Sequence, residues 1–109
     1  MTIQNFAKQL EFKPLCMPSP EKEVEGVYIG DLLSWVMGKA ESGNVWITIM
    51  SNINIVAVAA LTDVSAILLS ENVELDADVL KTAESKGINI LSTPLSTYES
   101  AAKIAGVIS

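Results

Sequence analysis

The stretch Val45–Leu69, VWITIMSNINIVAVAALTDVSAILL, sets the pattern of the chain. Val45–Met50 is β-branched and aromatic and is apolar at successive positions, which marks a strand buried on both faces. A polar turn follows at Ser51-Asn52. Asn54–Leu61 is apolar all round, so periodicity alone leaves it either a buried helix or a buried strand. Its alanines favour helix, and Asn52 or Asn54 supplies a side-chain cap. A strand here would also leave nothing to cover the sheet. After a short turn, Val64–Leu69 is a second strand apolar on both faces. The unit is strand, helix, strand.

The flanks continue the alternation. Ile3, Phe6, Ala7 and Leu10 share one face of a first helix, with Thr2 as its N-cap. Phe12–Met17 is a short strand that Pro14 confines to a sheet edge, or that begins at Pro14. Pro18–Glu25, PSPEKEVE, is a loop, and Val24–Ile29 is extended. Gly30-Asp31 opens a helix with Leu32, Leu33, Val36, Met37 and Ala40 on one face and Asp31 in its first turn. Glu41-Ser42-Gly43-Asn44 turns the chain into Val45. Downstream, Ser70–Leu75 is a polar loop. Asp76 caps a helix whose face is Val79, Leu80 and Ala83, and Lys86-Gly87 ends it. Ile88–Leu91 is a short strand. Ser96 and Glu99 form a capping box, opening a last helix with Tyr98, Ala101, Ala102, Ala105 and Ile108 on one face.

Doubly apolar strands joined by helices predict the α/β class. The expectation is a small single domain, residues 1–109, with a mostly parallel four- to five-stranded sheet covered by helices on both faces. Half of the residues are hydrophobic and 18% are charged. So few charges predict apolar surface left over for a second copy, hence a homodimer, with a dense monomeric core as the alternative. Trp35 lies off its helix's apolar face, and is either an interface anchor or packed beneath the Pro18–Glu25 loop.

Charge removes several function classes. The net charge is −6, all seven basic residues are Lys, and there is no His. Without Arg the chain lacks a bidentate fork for phosphate or guanine, and its acidity argues against nucleic acid as a partner. Without His it lacks an imidazole base and the usual zinc ligands. Glu21, Glu23 and Glu25 are read as a solvated edge, with no fixed further ligands for a hard cation, so no metal and no cofactor is expected. Cys16 is alone and reads as a small buried hydrophobe. No glycine-rich phosphate loop follows any strand, and nothing marks Asp31 or Glu71 as a perturbed base, so no catalytic residue is assigned. The N-terminus lacks a signal-peptide run, and polar residues interrupt the one long apolar stretch. The expectation is a cytoplasmic protein with no membrane partner.

In parallel α/β sheets, ligands bind beyond the carboxyl ends of the strands. Those ends carry Ser51, Asn52 and Asn54, then Ser70, Glu71 and Asn72, then Ser92, Thr93 and Pro94. Helix N-termini follow, so backbone N–H groups are expected at the same edge. Ser51, Asn52, Asn54, Ser70, Glu71, Asn72 and Thr93 are the candidate binding set for a small polar or anionic ligand. The same residue types also serve turns and caps.

The segment Val45–Ile104 resembles the DRTGG domain. The likeness lies in VWITIM, the polar pair, the Ala-rich helix, DVSAILLS, and ELDADVLKTAESKGINILSTPLSTYESAAKI. EGVYIGDLLSWVMGKAESGNVWIT is similar to the N-terminal, non-catalytic domain of HPr kinase/phosphorylase and, more distantly, to the first domain of Mur ligases. The resemblance places a family-like core at 26–109, preceded by an N-terminal helix, edge strand and loop at 1–25. Where the family carries Asp-Arg this chain has Ser51-Asn52, and where it carries Thr-Gly-Gly this chain has Ser70-Glu71-Asn72. The resemblance implies the fold and a non-catalytic regulatory or protein-interaction role, dimeric and docking on a larger protein partner. It carries over neither phosphate binding nor kinase activity. The alternative is a small-ligand sensor for a nucleotide or metabolite at the strand ends.

Overall fold

A computed structural model describes residues 1–108. Five helices and five strands alternate much as the periodicity predicts: α1 (Ile3–Leu10), β1 (Lys13–Cys16), β2 (Val27–Ile29), α2 (Leu33–Lys39), β3 (Val45–Thr48), α3 (Asn54–Thr62), β4 (Ala66–Leu69), α4 (Ala77–Ser85), β5 (Ile90–Ser92) and α5 (Thr97–Ala105). The ambiguous Asn54–Leu61 stretch is a helix. It caps differently from expectation. Ile53 is the N-cap residue with no side-chain bond, while Asn52 Oδ1 accepts the Asn54 N–H at 2.9 Å.

The sheet order is β1-β5-β4-β3-β2. β2, β3, β4 and β5 are parallel neighbours, and β1 closes the far edge antiparallel to β5. Pro14 therefore sits in an edge strand, where a missing N–H is tolerated. Alternation along the central strands divides the core into two layers. Trp46, Ile67, Leu69 and Ile90 face Val36 of α2, Ile55 and Val56 of α3 and Val79 and Ala83 of α4. Val45, Ile47, Ala66, Leu68 and Leu91 face Ile3, Phe6 and Leu10 of α1 and Ile104 of α5. Helices thus cover both faces.

Three expectations change. Asp31 precedes α2, because Leu32 is its N-cap residue. Of the predicted α2 face only Val36 is fully buried, while Leu32 and Met37 are exposed at 58% and 52%. This seven-residue helix follows the edge strand β2 and packs against one neighbouring helix, α3, so much of its apolar surface meets solvent. On α5 the buried positions are Ser100 and Ile104, and Tyr98 is 80% exposed. The helix turns its single large aliphatic side chain inward. Ser100 tolerates burial because its hydroxyl donates to the Ser96 carbonyl at 2.8 Å.

Candidate functional site

Each parallel strand of the sheet centre is bracketed by buried polar residues. Asn44, Ser65 and Asn89 stand before β3, β4 and β5, and Thr48, Ser70 and Thr93 end or follow them. Burial of such groups is tolerable only with hydrogen bonds, and among the described residues no buried side-chain N or O lacks a partner.

At the amino ends these bonds bind the loop between β1 and β2 to the sheet. Asn89 accepts the Ser19 N–H at 2.8 Å and donates to the carbonyls of Ser19 and Ser65 at 2.7 and 2.9 Å. The Ser65 hydroxyl is bonded to the carbonyls of Glu23 and Gly43. Lys22 Nζ meets Asp63 Oδ1 at 2.9 Å, and the Ser42 hydroxyl donates to the other carboxylate oxygen at 2.6 Å. The bonds from Ser42 and Lys22, with the charge of Lys22, hold the exposed Asp63 carboxyl below its ordinary range. By sequence Asn44 is a turn residue, and no local motif marks Ser65 or Asn89 with a role. Their signal was position, a lone polar residue at the head of an apolar strand.

At the carboxyl ends the candidate residues divide. Ser70 and Thr93 are buried, whereas Ser51, Asn52, Asn54, Glu71 and Asn72 are exposed. The structure draws Ser70, Glu71, Asn72 and Thr93 into one corner. Ser70 and Thr97 share a hydroxyl–hydroxyl bond of 2.7 Å. The N–H groups of Glu71 and Asn72 donate to the carbonyls of Leu95 and Thr93 at 2.7 and 2.9 Å. Both residues have positive φ, 59° and 57°, as the centre of a turn closed by the Val73 N–H on the Ser70 carbonyl at 3.3 Å. A turn with two left-handed central residues favours glycine. Glu71 and Asn72 thus hold a backbone conformation that glycine adopts most readily. Asn52 bonds within its own turn, and no contact joins it to this corner among the described hydrogen bonds.

Asp31 has an unpredicted role. Its Oδ1 accepts the Thr48 hydroxyl at 2.7 Å and the Ile49 N–H at 2.9 Å, fastening the end of β3 to the β2–α2 junction. Trp46 adds a bond from Nε1 to the Gly30 carbonyl at 2.9 Å.

The strand order adds a topological fact. From β2 to β5 the chain moves across the sheet in one direction, and α2, α3 and α4 all lie on one face. There is no reversal of order in this parallel run, and reversal is what opens a crevice between diverging loops. A polar groove of about 340 Å³ reaches Asn72, together with Glu11, Lys13, Glu74, Ser92 and Pro94. A more apolar groove of about 770 Å³ lies at the opposite sheet edge, between β2 and α5.

Several apolar side chains are exposed at or just after the carboxyl ends of β2 and β3, namely Ile29, Leu32, Ile49 and Ile53, and Trp35 is exposed in the first turn of α2. Trp35 is 57% exposed, and Lys39 Nζ lies 4.4 Å from its ring centroid. Cys16 is partly buried and donates to the Ile88 carbonyl at 3.3 Å. Burial pushes its thiol up, a backbone hydrogen bond with Ile90 opposes this, and the charge of Glu84 adds to it. That is the opposite of an activated thiolate. Among the described residues no group of three or more Cys, Asp or Glu side chains could hold a metal ion, and no helix is long and apolar enough to cross a membrane.

Comparison with known sequences gives the kinship of this arrangement. The DRTGG domain profile matches residues 5–107. The chain belongs to the DRTGG domain family. No curated protein matches it. Among solved structures it is similar to the CBS and DRTGG domains of the regulatory region of Clostridium perfringens pyrophosphatase, complexed with its activator diadenosine tetraphosphate. The TM-score is 0.72 at 15% identity, covering 94% of this chain and 45% of that one. The DRTGG chain therefore spans less than half of the regulatory region it matches, and the likeness establishes the fold.

Proposed function

We propose that this DRTGG domain is a non-catalytic regulatory module that acts through protein contact and self-associates as a dimer. The observation that carries the reading is the exposed apolar set Ile29, Leu32, Trp35, Ile49 and Ile53 at one end of the sheet. An exposed aromatic side chain and exposed large aliphatic ones are the residue types enriched at the centre of protein interfaces. The reading is supported by the fate of the polar groups beside it, many of which are engaged in turns and cross-loop bonds. The home of such a module would be the cytoplasm.

A second reading, a nucleotide or metabolite sensor, is favoured by one observation: the similar regulatory region holds a diadenosine activator. It would use the exposed Ser51, Asn52, Asn54, Glu71 and Asn72, with Ser70 and Thr93 supporting the corner from beneath.

Light scattering after size exclusion, at several concentrations and with and without diadenosine tetraphosphate, separates the two. The module predicts a dimer indifferent to the nucleotide, and Trp35→Ser shifts it towards monomer while leaving the circular dichroism spectrum unchanged. A monomer at all concentrations defeats the dimer. An assembly state set by the nucleotide supports the sensor.

A further inference from the structure

Among the described residues β2 has one neighbouring strand, β3, and its other edge is open. The Val45 N–H donates to the Gly26 carbonyl at 2.9 Å, and the Gly30 N–H donates to the Ile47 carbonyl at 3.2 Å. In a parallel ladder alternate residues bond to the same neighbour, so the N–H and C=O groups of Val27 and Ile29 point off the sheet. Beside this edge lies the groove of about 770 Å³, lined by Val27 and Ile29 from the strand and by Ala101, Ile104 and Ala105 from α5. Glu25 is the charged residue of its lining.

We propose that this edge and groove take an extended segment of a partner protein by strand addition, a segment apolar at alternate positions and flanked by Lys or Arg. The proposal rests on the protein-contact reading and deepens it by stating the chemistry of the partner. The outward backbone groups supply hydrogen bonds that a peptide strand completes, and the apolar groove takes every second side chain. The small side chains of Ala101 and Ala105 leave the room. Charge chooses between occupants. Two copies of β2 paired antiparallel about Tyr28 would set Glu25 opposite Asp31 twice over, within a chain of net charge −6. A cationic flank meets the same carboxylates with attraction.

The test is a titration of the ¹⁵N-labelled chain with a synthetic nonapeptide of Val-Thr-Val-Thr-Val with two Lys at each end. Amide shifts are expected at Val27, Ile29, Ala101 and Ala105, with new exchange protection at the first two. Ile29→Pro removes an outward N–H and leaves the ladder to β3 intact, so it abolishes binding while Tyr28 and Gly30 stay protected. Ala105→Leu, which narrows the groove, weakens binding without touching the strand. Glu25→Gln weakens it about threefold, the scale of a surface ion pair. A Glu-flanked peptide binds more weakly than the Lys-flanked one. No shift at the edge with millimolar peptide overturns the proposal, as does undiminished binding by Ile29→Pro. Concentration-dependent protection of Val27 and Ile29 without peptide would make a second copy the occupant, and also overturns it. Scattering reads self-association separately, so either idea can fail while the other stands.

Discussion

At the residue scale, the weight falls on polar side chains buried at strand ends. Asn89 is the most heavily bonded of them, reaching a loop seventy positions away in sequence. Replacing it with Ala strands the Ser19 N–H and the carbonyls of Ser19 and Ser65. The expected cost is about 3 kcal/mol, from groups left buried without partners. Urea denaturation of Asn89→Ala measures it, and a loss near zero would mean that water replaces the amide. Asp31 acts similarly at the opposite end of the sheet, joining Thr48 and Ile49 to the start of α2. Local sequence offers little warning of either role. An Asp before a helix looks like a dipole partner, and an Asn at a strand entry looks like a turn residue. What each one bonds is decided by the segment folded against it.

At the element scale, helices and strands were legible in order and type because their periods differ, and the capping box placed the start of α5 correctly. The inward face of α5 was not legible. Counting Tyr98 with the alanines selects a plausible stripe, but Ile104 outweighs alanines in apolar area buried. It is the fully buried apolar side chain of α5 in the layer under β3, with Ala101 only partly buried beside that layer. Ile104→Ala should therefore cost about 3 kcal/mol, by lost transfer energy and a cavity. Tyr98→Ala should stay within about 0.5 kcal/mol, as exposed changes do. Thermal melts of the pair check this, and equal losses would restore the face read from periodicity. The α2 stripe shows the converse limit. Amphipathicity reports that a face is apolar, whereas burial requires a neighbour, and beside an edge strand that neighbour is partly missing. The candidate site was legible as a zone of polar strand ends, while the division into buried and exposed members follows from pairing that no periodicity records.

At the scale of the whole molecule, two carboxylates make stability depend on acid. Asp63 is held low by Ser42 and Lys22, and Glu99 by the backbone N–H of Ser96 and then by its side chain. A depressed folded value means that the unfolded chain binds more protons in acid. The contribution is present above the unfolded carboxylate value of about 4 and is lost as pH falls through the folded values. Melting temperatures taken from neutral pH downward should fall, and Asp63→Asn should flatten the fall. An unchanged slope would assign the acid sensitivity elsewhere. The sheet order has a further consequence, for the timing of folding. β1 lies beside β5, with Lys13 opposite Ser92, so the earliest strand in the chain completes its ladder only with the last. Loop closure over that separation is slow compared with pairing of β2, β3 and β4, which follow one another directly. During synthesis β1 must therefore wait for β5 before its ladder can form, whereas α1 finds much of its apolar cover as soon as β3 and β4 have emerged.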